Sequence, residues 1–286
     1  MTIEQILDEF RYFDGVYRRG AVDAAVRLRE EITPHLIRVL EEMTDDPVTV
    51  VEDDDRYSHI YAMVLLTHFR ETRAHEAIAR IHRLPKDRLD PLFGDGITEN
   101  FGSALYATSS GPMDRVRELI ADASVYEYCR SAAMDAMVYA AAEGRLSRNE
   151  VLEFLLSFFE GDEAEEESQF WSLLAGRICD LSPGEYMTRI EDAYVRGLVN
   201  PGYVRLEDFR RSVREGQEVA LAGIRREVSA RLPADVHGHM SWWACFNPPA
   251  PVSAAGPSAA ERKDKAKRSK KKRKMEKTSR RKNRKR

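Results

Sequence analysis

Apolar residues recur every three or four positions along most of the chain, a spacing that is typical of amphipathic helices. The first stripe runs from Ile3 to Phe10, and Thr2 precedes it as an N-cap with Gln5 at the third helical position. That arrangement matches a capping box, in which two backbone N–H groups are satisfied reciprocally. The one strand-like segment is ValThrValVal at 48–51, and a single short strand cannot form a sheet. The pattern therefore predicts an all-α fold.

Between residues 56 and 199 the helical stripes fall into four pairs. The predicted pairs are 56–72 with 74–83, 98–108 with 112–122, 126–143 with 147–159, and 165–181 with 184–199. The second helix of each pair carries an apolar residue at a matching place, and these residues are Ile81, Leu119, Leu155 and Ile190. Their separations of 38, 36 and 35 residues, with two helices per unit, are typical of HEAT or TPR repeats. We expect a HEAT/TPR-like α-solenoid of stacked helix pairs, with a non-repetitive helical bundle as the alternative.

The segments on either side of the pairs complete the helical prediction. Helices at 21–31 and 35–42 should be separated at Thr33-Pro34, because proline starts a helix well and continues one badly. A last, highly charged helix at 206–228 should close the array.

The net charge of −3 conceals two oppositely charged parts of the chain. Residues 257–286 hold 17 Lys and Arg and three acidic residues, a charge of +14, which leaves 28 basic and 45 acidic residues, or −17, in the rest. In residues 261–286 only Met275 has an apolar side chain larger than alanine, so this segment cannot bury enough surface to offset the entropy of ordering. We expect a disordered basic tail on an acidic body.

The composition predicts three consecutive parts. Residues 1–246 should form the helical-repeat domain, residues 247–260 a linker rich in Pro, Ala and Ser, and residues 261–286 the disordered tail. The domain should close with an apolar cluster buried against the last helices, and its large members are Trp242, Trp243 and Phe246.

The basic tail is the strongest functional signal in the sequence. Dense Lys and Arg in a disordered segment bind polyanions through phosphate contacts and counterion release, without reading base sequence. The predicted nucleic-acid-binding residues are Lys270, Lys271, Lys272, Arg273, Lys274, Arg280, Arg281, Lys282, Arg284, Lys285 and Arg286. A solubility tail, or a tail that folds back onto the acidic body, is the alternative, and a membrane surface is a third and weaker one.

Cysteine usage favours a reducing compartment, and the hydropathy of the chain predicts no membrane span. The three cysteines are far apart and form no CxxC pairing, which argues against a disulfide framework or a zinc finger. The N-terminal residues are charged rather than typical of a signal peptide, and no run approaches the ~18 apolar residues needed to span a bilayer. We expect a cytoplasmic protein, or a nuclear one if the host has a nucleus, without a membrane partner.

The histidines match no familiar metal site. His68, His75 and His82 recur every seven residues, but a turn should divide them, so we expect solvated or core-edge side chains. His237, His239 and Cys245 could supply three metal ligands, yet their spacing matches no familiar zinc site. We therefore expect no metal and no cofactor.

The remaining polar motifs have local explanations. The glycine-rich segment 93–102 lacks the GxGxxG order and follows no strand, so we expect Asp95-Gly96 to turn the chain and Thr98 to cap the next helix. The acidic run at 161–168 lacks the alternating ligands of a calcium loop. No GxSxG is present and two of the cysteines lie in apolar helical sequence, so the sequence indicates no nucleophile.

Several stretches resemble a bacterial family of uncharacterised proteins known as domain of unknown function 1186. The resembling segments are 29–36, 58–66, 93–99, 191–203 and the closing MetSerTrpTrpAlaCysPhe at 240–246. The resemblance implies a helical-repeat fold and a bacterial cytoplasmic setting, and it implies no activity. Some relatives end in a SEC-C zinc knuckle, but here no cysteine follows Cys245, so a zinc-binding role is not carried over.

The sequence thus predicts a non-enzymatic helical-repeat scaffold or adaptor. Its body should bind a protein partner, and its tail should add affinity for RNA, DNA or a ribonucleoprotein. The alternative is a nucleic-acid-modifying enzyme on a helical-repeat scaffold, such as a glycosylase. That enzyme would need an Asp or Glu and a Trp converging in a basic cleft, for which the pair Trp242-Trp243 is the candidate.

Overall fold

The chain folds into α-helices joined by short turns. A computed structural model describes residues 1–47, 56–161, 168–232 and 234–247. The helices are α1 (Ile3–Arg11), α2 (Arg19–Arg27), α3 (Arg29–Asp45), α4 (Ser58–His68), α5 (His75–Ile81), α6 (Lys86–Phe93), α7 (Gly96–Glu99), α8 (Phe101–Thr108), α9 (Asp114–Ala121), α10 (Glu127–Ala142), α11 (Arg148–Ser157), α12 (Phe170–Asp180), α13 (Met187–Val195), α14 (Leu206–Glu215), α15 (Gln217–Arg231) and α16 (Val236–Met240). Short 3-10 turns lie at Thr72–Ala74, Phe158–Glu160, Gly184–Tyr186 and Ala244–Phe246.

The all-α prediction is confirmed for the part of the chain that the structure describes. The extended pairing found there is an isolated antiparallel bridge between Tyr12 and Arg56. The strand-like segment 48–51 lies outside the described residues. Within the described ranges, no helix is both long and apolar enough to cross a bilayer.

The predicted capping box at the start of α1 is confirmed. The backbone N–H of Thr2 donates to Gln5 Oε1 at 2.9 Å, and the backbone N–H of Gln5 donates to Thr2 Oγ1 at 3.3 Å. Further along α1, Ile6 and Phe10 are buried on one face of the helix. The Phe10 ring stacks on Tyr61 of α4 with centroids 4.3 Å apart, so the apolar stripe read from the sequence attaches α1 to the body.

The helix break predicted at Thr33-Pro34 is wrong. The chain breaks at Leu28 instead, and α3 continues through Pro34. A proline inside a helix costs about 3 kcal/mol, because it removes an N–H and crowds the preceding turn. Burial of the α3 stripe offsets this cost, since each large aliphatic side chain taken from water contributes about 1.5–3 kcal/mol. The buried residues on the stripe, each at most 1% exposed, include Ile32, Leu36 and Leu40.

The predicted helix pairs are present, and their two members are buried differently. The first helices, α4, α8, α10 and α12, are buried on almost all sides, and each packs against the next in the row. The second helices bury one stripe, which includes the four residues at matching places, Ile81, Leu119, Leu155 and Ile190. Contacts between neighbouring helices do not define a superhelix, so the HEAT/TPR-like α-solenoid stays a prediction.

The region between the first two pairs contains two further helices, α6 and α7. Gly94, with φ +47°, turns the chain between them, because glycine adopts positive φ without a steric penalty. Thr98 therefore lies inside α7, where its Oγ1 donates to the carbonyl O of Asp95 at 3.1 Å. The prediction that Thr98 caps the following helix is wrong, since α8 begins after Asn100.

The single helix predicted at 206–228 is also wrong. Gly216, with φ +91°, divides the segment into α14 and α15. Helix α15 packs against α10 and α12, where the Tyr139 hydroxyl donates to Glu227 Oε1 at 2.8 Å. Arg225 Nε donates to the carbonyl O of Ala142 at 2.7 Å, and so satisfies an end of α10. The glycine break allows the C-terminal helix to return across the row of first helices.

The predicted closing cluster is only partly buried. Residues 1–242 form one compact unit, and a second begins at Trp243. In the first unit, α16 turns Val236 and Met240 inward, four residues apart on one helical face. Trp242 is 66% exposed, so the prediction of a buried Trp242 is wrong. In the second unit, Trp243 and Phe246 are partly exposed and stack with ring centroids 6.2 Å apart.

Candidate functional site

The eleven basic residues predicted to bind nucleic acid lie outside the described residues. They are Lys270, Lys271, Lys272, Arg273, Lys274, Arg280, Arg281, Lys282, Arg284, Lys285 and Arg286. The predicted linker beyond Asn247 also lies outside the described residues, as does most of the acidic run 161–168. The candidate site described below therefore belongs to the helical body.

The histidines that recur every seven residues have different environments. His82 is fully buried, and its Nδ1–H donates to the carbonyl O of Ile78 at 2.8 Å. Burial lowers the pKa of His82 to about 4. The interpretation of these histidines as solvated or core-edge residues is wrong for His82, because α5 turns its ring against Phe101, with centroids 4.5 Å apart. His75 is half-buried and contacts Thr108 Oγ1 at 3.1 Å.

The C-terminal histidines join no metal site among the described residues. Within those ranges, no group of three His, Cys, Asp or Glu side chains is arranged to hold a metal ion. His237 instead ties α16 to the N-terminal segment: its Nε2–H donates to Asp23 Oδ1 at 3.0 Å, and its Nδ1 hydrogen-bonds the Tyr17 hydroxyl at 2.8 Å. Burial raises the pKa of the Cys129 and Cys179 thiols to about 12, so both are protonated at neutral pH.

A pocket of about 290 Å³ lies where three distant parts of the sequence meet. Helix α4 and Arg70, two residues after it, form one wall, the start of α8 forms another, and the end of α15 with α16 forms the third. The lining residues are Met63, Val64, Thr67, His68, Arg70, Asn100, Ser103, Arg231, Leu232, Ala234, Val236 and His239. The pocket exists because α15 returns across the body, which the break at Gly216 allows.

The charged groups that line the pocket are all basic. Its described lining contains two arginines and two histidines and neither Asp nor Glu. The chain outside residues 257–286 carries a net charge of −17, so a carboxylate-free lining is a local departure from the surrounding composition. Burial, together with the positive charges of Arg231 and His68, lowers the pKa of His239. The arrangement favours an anion.

Arg70 occupies a backbone position that normally takes glycine. It follows α4 in the left-handed conformation with φ +51°, and the next N–H, that of Glu71, bonds back to the carbonyl O of Leu66 at 3.1 Å. The same motif after α10 uses Gly144, with φ +74°. A side chain in this conformation costs about 1–2 kcal/mol. The strain at Arg70 is therefore offset by the rest of the fold, as is common at functional positions.

Arg70 is exposed, and its guanidinium forms no ion pair with a carboxylate of a described residue. Its neighbour Arg73, by contrast, pairs with Glu71 at 2.7 Å. The second pocket arginine, Arg231, is held in place: its Nη1 donates to the carbonyl O of Glu99 at 2.6 Å, and its Nε lies 3.9 Å from Glu227 Oε1. One arginine is thus fixed in the wall, and the other projects at the rim.

A separate cluster of charges lies on α10 and α12, in which Asp135 and Arg177 are partly buried and Asp180 is exposed. Asp135 pairs with Arg177, which also donates to Asp180 Oδ2 at 3.1 Å. Burial raises the pKa of Asp135 from its ordinary value of 3.8 to about 7, despite the guanidinium beside it. Gly102 of α8 packs so closely that a Cβ there would lie 2.7 Å from Asp135 Cβ. This cluster ties the row of first helices together.

Sequence reasoning missed both the pocket and the cluster. The pocket residues are separated by up to 176 positions, from Met63 to His239, and no local spacing connects the members of either group. One signal was present at Arg70, because an arginine stands where the corresponding turn after α10 carries Gly144.

The comparisons with known proteins define a family and no activity. A family model described as "Protein of unknown function (DUF1186)" matches residues 1–247. An uncharacterised protein of Chlamydia muridarum is 31% identical over 215 residues, which cover 75% of this chain and 86% of that protein. An uncharacterised protein of Chlamydia trachomatis serovar D is 31% identical over 215 residues, or 75% of this chain and 85% of the relative. No solved structure matches the chain.

Proposed function

We propose that this chain, which belongs to the DUF1186 family of proteins of unknown function, is a non-enzymatic helical-repeat adaptor. Its HEAT/TPR-like body binds a protein partner, and its basic tail binds RNA or DNA, or a ribonucleoprotein. The protein acts in the cytoplasm.

The separation of charge along the chain carries this proposal. Residues 257–286 have a charge of +14 and the rest of the chain −17, so the tail attracts a polyanion that the body repels. Lysine and arginine runs release condensed counterions when they neutralise phosphates, and this sequence-independent gain dominates non-specific binding. The body competes for its own tail, which makes the affinity of the intact chain lower than that of the tail alone.

The surface chemistry of the body supports a role in protein binding. Many of its arginines already pair with neighbouring carboxylates, including Arg38 with Glu42 at 2.8 Å and Arg214 with Glu207 at 2.7 Å. Paired arginines offer little charge to a nucleic acid. Stacked helical repeats instead form extended surfaces that such proteins use for binding.

The alternative, a glycosylase-like enzyme, requires an acidic residue and a tryptophan in one basic cleft. The basic pocket of the described body is lined by neither Asp, Glu nor Trp. The adaptor is therefore the better-supported proposal.

The test is nucleic-acid binding by the full chain and by a variant in which the eleven tail residues named above are changed to glutamine. Fluorescence anisotropy with a short single-stranded RNA of arbitrary sequence reports the affinity. The tail variant should lose at least tenfold in affinity. A control variant, Arg38→Gln with Arg214→Gln, removes charge from the body and should bind as the native chain does. Equal binding by the tail variant would place the nucleic-acid site on the folded body and refute the proposal.

A further inference from the structure

We propose that the pocket between α4, α8 and α16 binds a small organic phosphate. Arg70 and Arg231 hold the phosphate group, and the organic part lies against the apolar wall. This inference concerns the folded body and does not depend on what the tail binds.

The charge of the lining favours an anion with more than one negative charge. Arg70 has no ion-pair partner among the described residues, Arg231 is partly compensated by Glu227 Oε1 at 3.9 Å, and no Asp or Glu is among the described lining residues. A phosphomonoester carries about −1.5 to −2 at neutral pH and has three oxygens with which to contact both guanidinium groups, whereas a simple carboxylate carries one charge and two oxygens. The planar fork of a guanidinium also matches two phosphate oxygens at once.

The backbone at Arg70 gives independent support. The left-handed conformation at φ +51° favours glycine, and the corresponding turn after α10 does use glycine, at position 144. An arginine there weakens the turn, yet it places an exposed guanidinium without a described carboxylate partner at the rim of a basic pocket. Two other described non-glycine residues adopt positive φ, Met113 and Ser182, but both are buried, whereas Arg70 is exposed.

The apolar wall indicates that the phosphate carries an organic group. Met63, Val64 and Val236 line the pocket, and each presents a small apolar area to it because the rest of the side chain is packed in the core. An organic group on the phosphate would cover this remaining apolar area, and inorganic phosphate would not. At about 290 Å³ the pocket is at the small end of ligand sites, which span roughly 300–1,000 Å³, so it suits a small molecule rather than a polymer.

The ligand would also join distant parts of the chain. Arg70 follows α4, near the N-terminal end of the body, and Arg231 ends α15. A phosphate between them bridges the returning C-terminal helix to α4. A ligand that binds only the assembled pocket stabilises the folded state by mass action.

Isothermal titration of the full-length protein with phenyl phosphate tests the proposal. Inorganic phosphate, phenol and benzoate serve as probes of the phosphate alone, the ring alone and a single carboxylate. Phenyl phosphate should bind at one site per chain and at least tenfold more tightly than each of the other three. Arg70→Gly should weaken phenyl phosphate about 10- to 100-fold, because hydrogen bonds to charged groups contribute on that scale. Arg70→Lys should recover part of the loss.

A matched control separates the lost guanidinium from a change in the turn. Ser182 follows α12 in the same left-handed conformation, with φ +54°, and lies outside the pocket. Ser182→Gly should leave the affinity for phenyl phosphate unchanged. Arg70→Gly should unfold at the same temperature as the native chain or at a higher one, since glycine relieves the strain, so lost binding would not reflect lost folding.

Two outcomes would overturn the proposal. One is the absence of saturable phenyl phosphate binding at millimolar concentrations. The other is an Arg70→Gly protein that binds phenyl phosphate as tightly as the native chain, which would show that Arg70 does not hold the phosphate. The tail is identical in every variant, so the proposed nucleic-acid binding can succeed or fail separately.

Discussion

The contact between α8 and α10 can be tested at Gly102, where the structure leaves no room for a methyl group. A Cβ built there lies 2.7 Å from Asp135 Cβ and 3.0 Å from the backbone carbonyl O of Ala132. Carbon atoms in contact prefer about 3.5–4.0 Å, so Gly102→Ala forces two buried helices apart by roughly 1 Å.

The two contributions to the stability of Gly102→Ala can be weighed against each other. Overpacking a rigid core costs about 1–3 kcal/mol, and the entropic advantage of alanine over glycine in a helix returns about 0.5–1 kcal/mol. The expected net effect is a destabilisation of up to about 2.5 kcal/mol. In a body of this size, that lowers the melting temperature by up to roughly 10 °C.

Gly20 offers a matched control, because it also lies in a helix, α2, and a Cβ there would meet no atom within 4 Å. Gly20→Ala should therefore gain about 0.5–1 kcal/mol and raise the melting temperature by roughly 1–4 °C. Thermal unfolding followed by far-UV circular dichroism measures both variants. If Gly102→Ala were as stable as Gly20→Ala, the close packing of α8 on α10 would be wrong.

Two charged side chains and the predicted domain boundary can also be tested. Because the pKa of Asp135 is raised from 3.8 to about 7, the folded state holds a proton between those values that the unfolded chain has lost. The contribution of Asp135 to stability therefore falls as pH rises through that window. In urea unfolding, the stability of Asp135→Asn relative to the native protein should rise between pH 4 and pH 8. A difference that does not change with pH would contradict the raised pKa. Arg148 is buried and donates to the carbonyl O of Leu181 at 2.7 Å and to that of Ser182. Arg148→Met leaves both acceptors unpaired and should lower the free energy of unfolding in urea by about 2–4 kcal/mol. An unchanged urea midpoint would refute this. Limited proteolysis should leave a resistant helical fragment that ends near Phe246, and cleavage scattered through 56–199 would count against a domain at 1–246.

Local patterns predicted the helices well where burial and capping agree. The capping box at Thr2 and the buried residues from Ile81 to Ile190 could be predicted, because each depends on residues three or four positions apart or on one repeated apolar stripe. The two wrongly predicted helix boundaries also have physical causes. Helix α3 continues through Pro34 because burial of its apolar stripe outweighs the cost of a proline inside a helix. The break at Gly216 was not predicted because apolar residues keep a helical spacing on both sides of it.

The candidate pocket could not be predicted in this way, because it depends on the path of the chain. Arg70 and Arg231 are 161 positions apart, and only the return of α15 across the first helices brings them to one cavity. The same is true of Asp135 and Arg177, whose pairing follows from the packing of α10 on α12. The tail is the opposite case, since its charge is a property of composition alone.

The salt dependence of RNA binding tests the central claim most directly. Each phosphate contact to a single strand contributes about −0.7 to the slope of log affinity against log salt concentration. Neutralisation of five phosphates by Lys270–Lys274 alone would give a slope of roughly −3.5, and Arg280–Arg286 should make it steeper. The full chain should show this slope, and a chain that ends at Pro257 should show no binding. A slope near zero, or binding by the shortened chain equal to that of the full chain, would contradict the account.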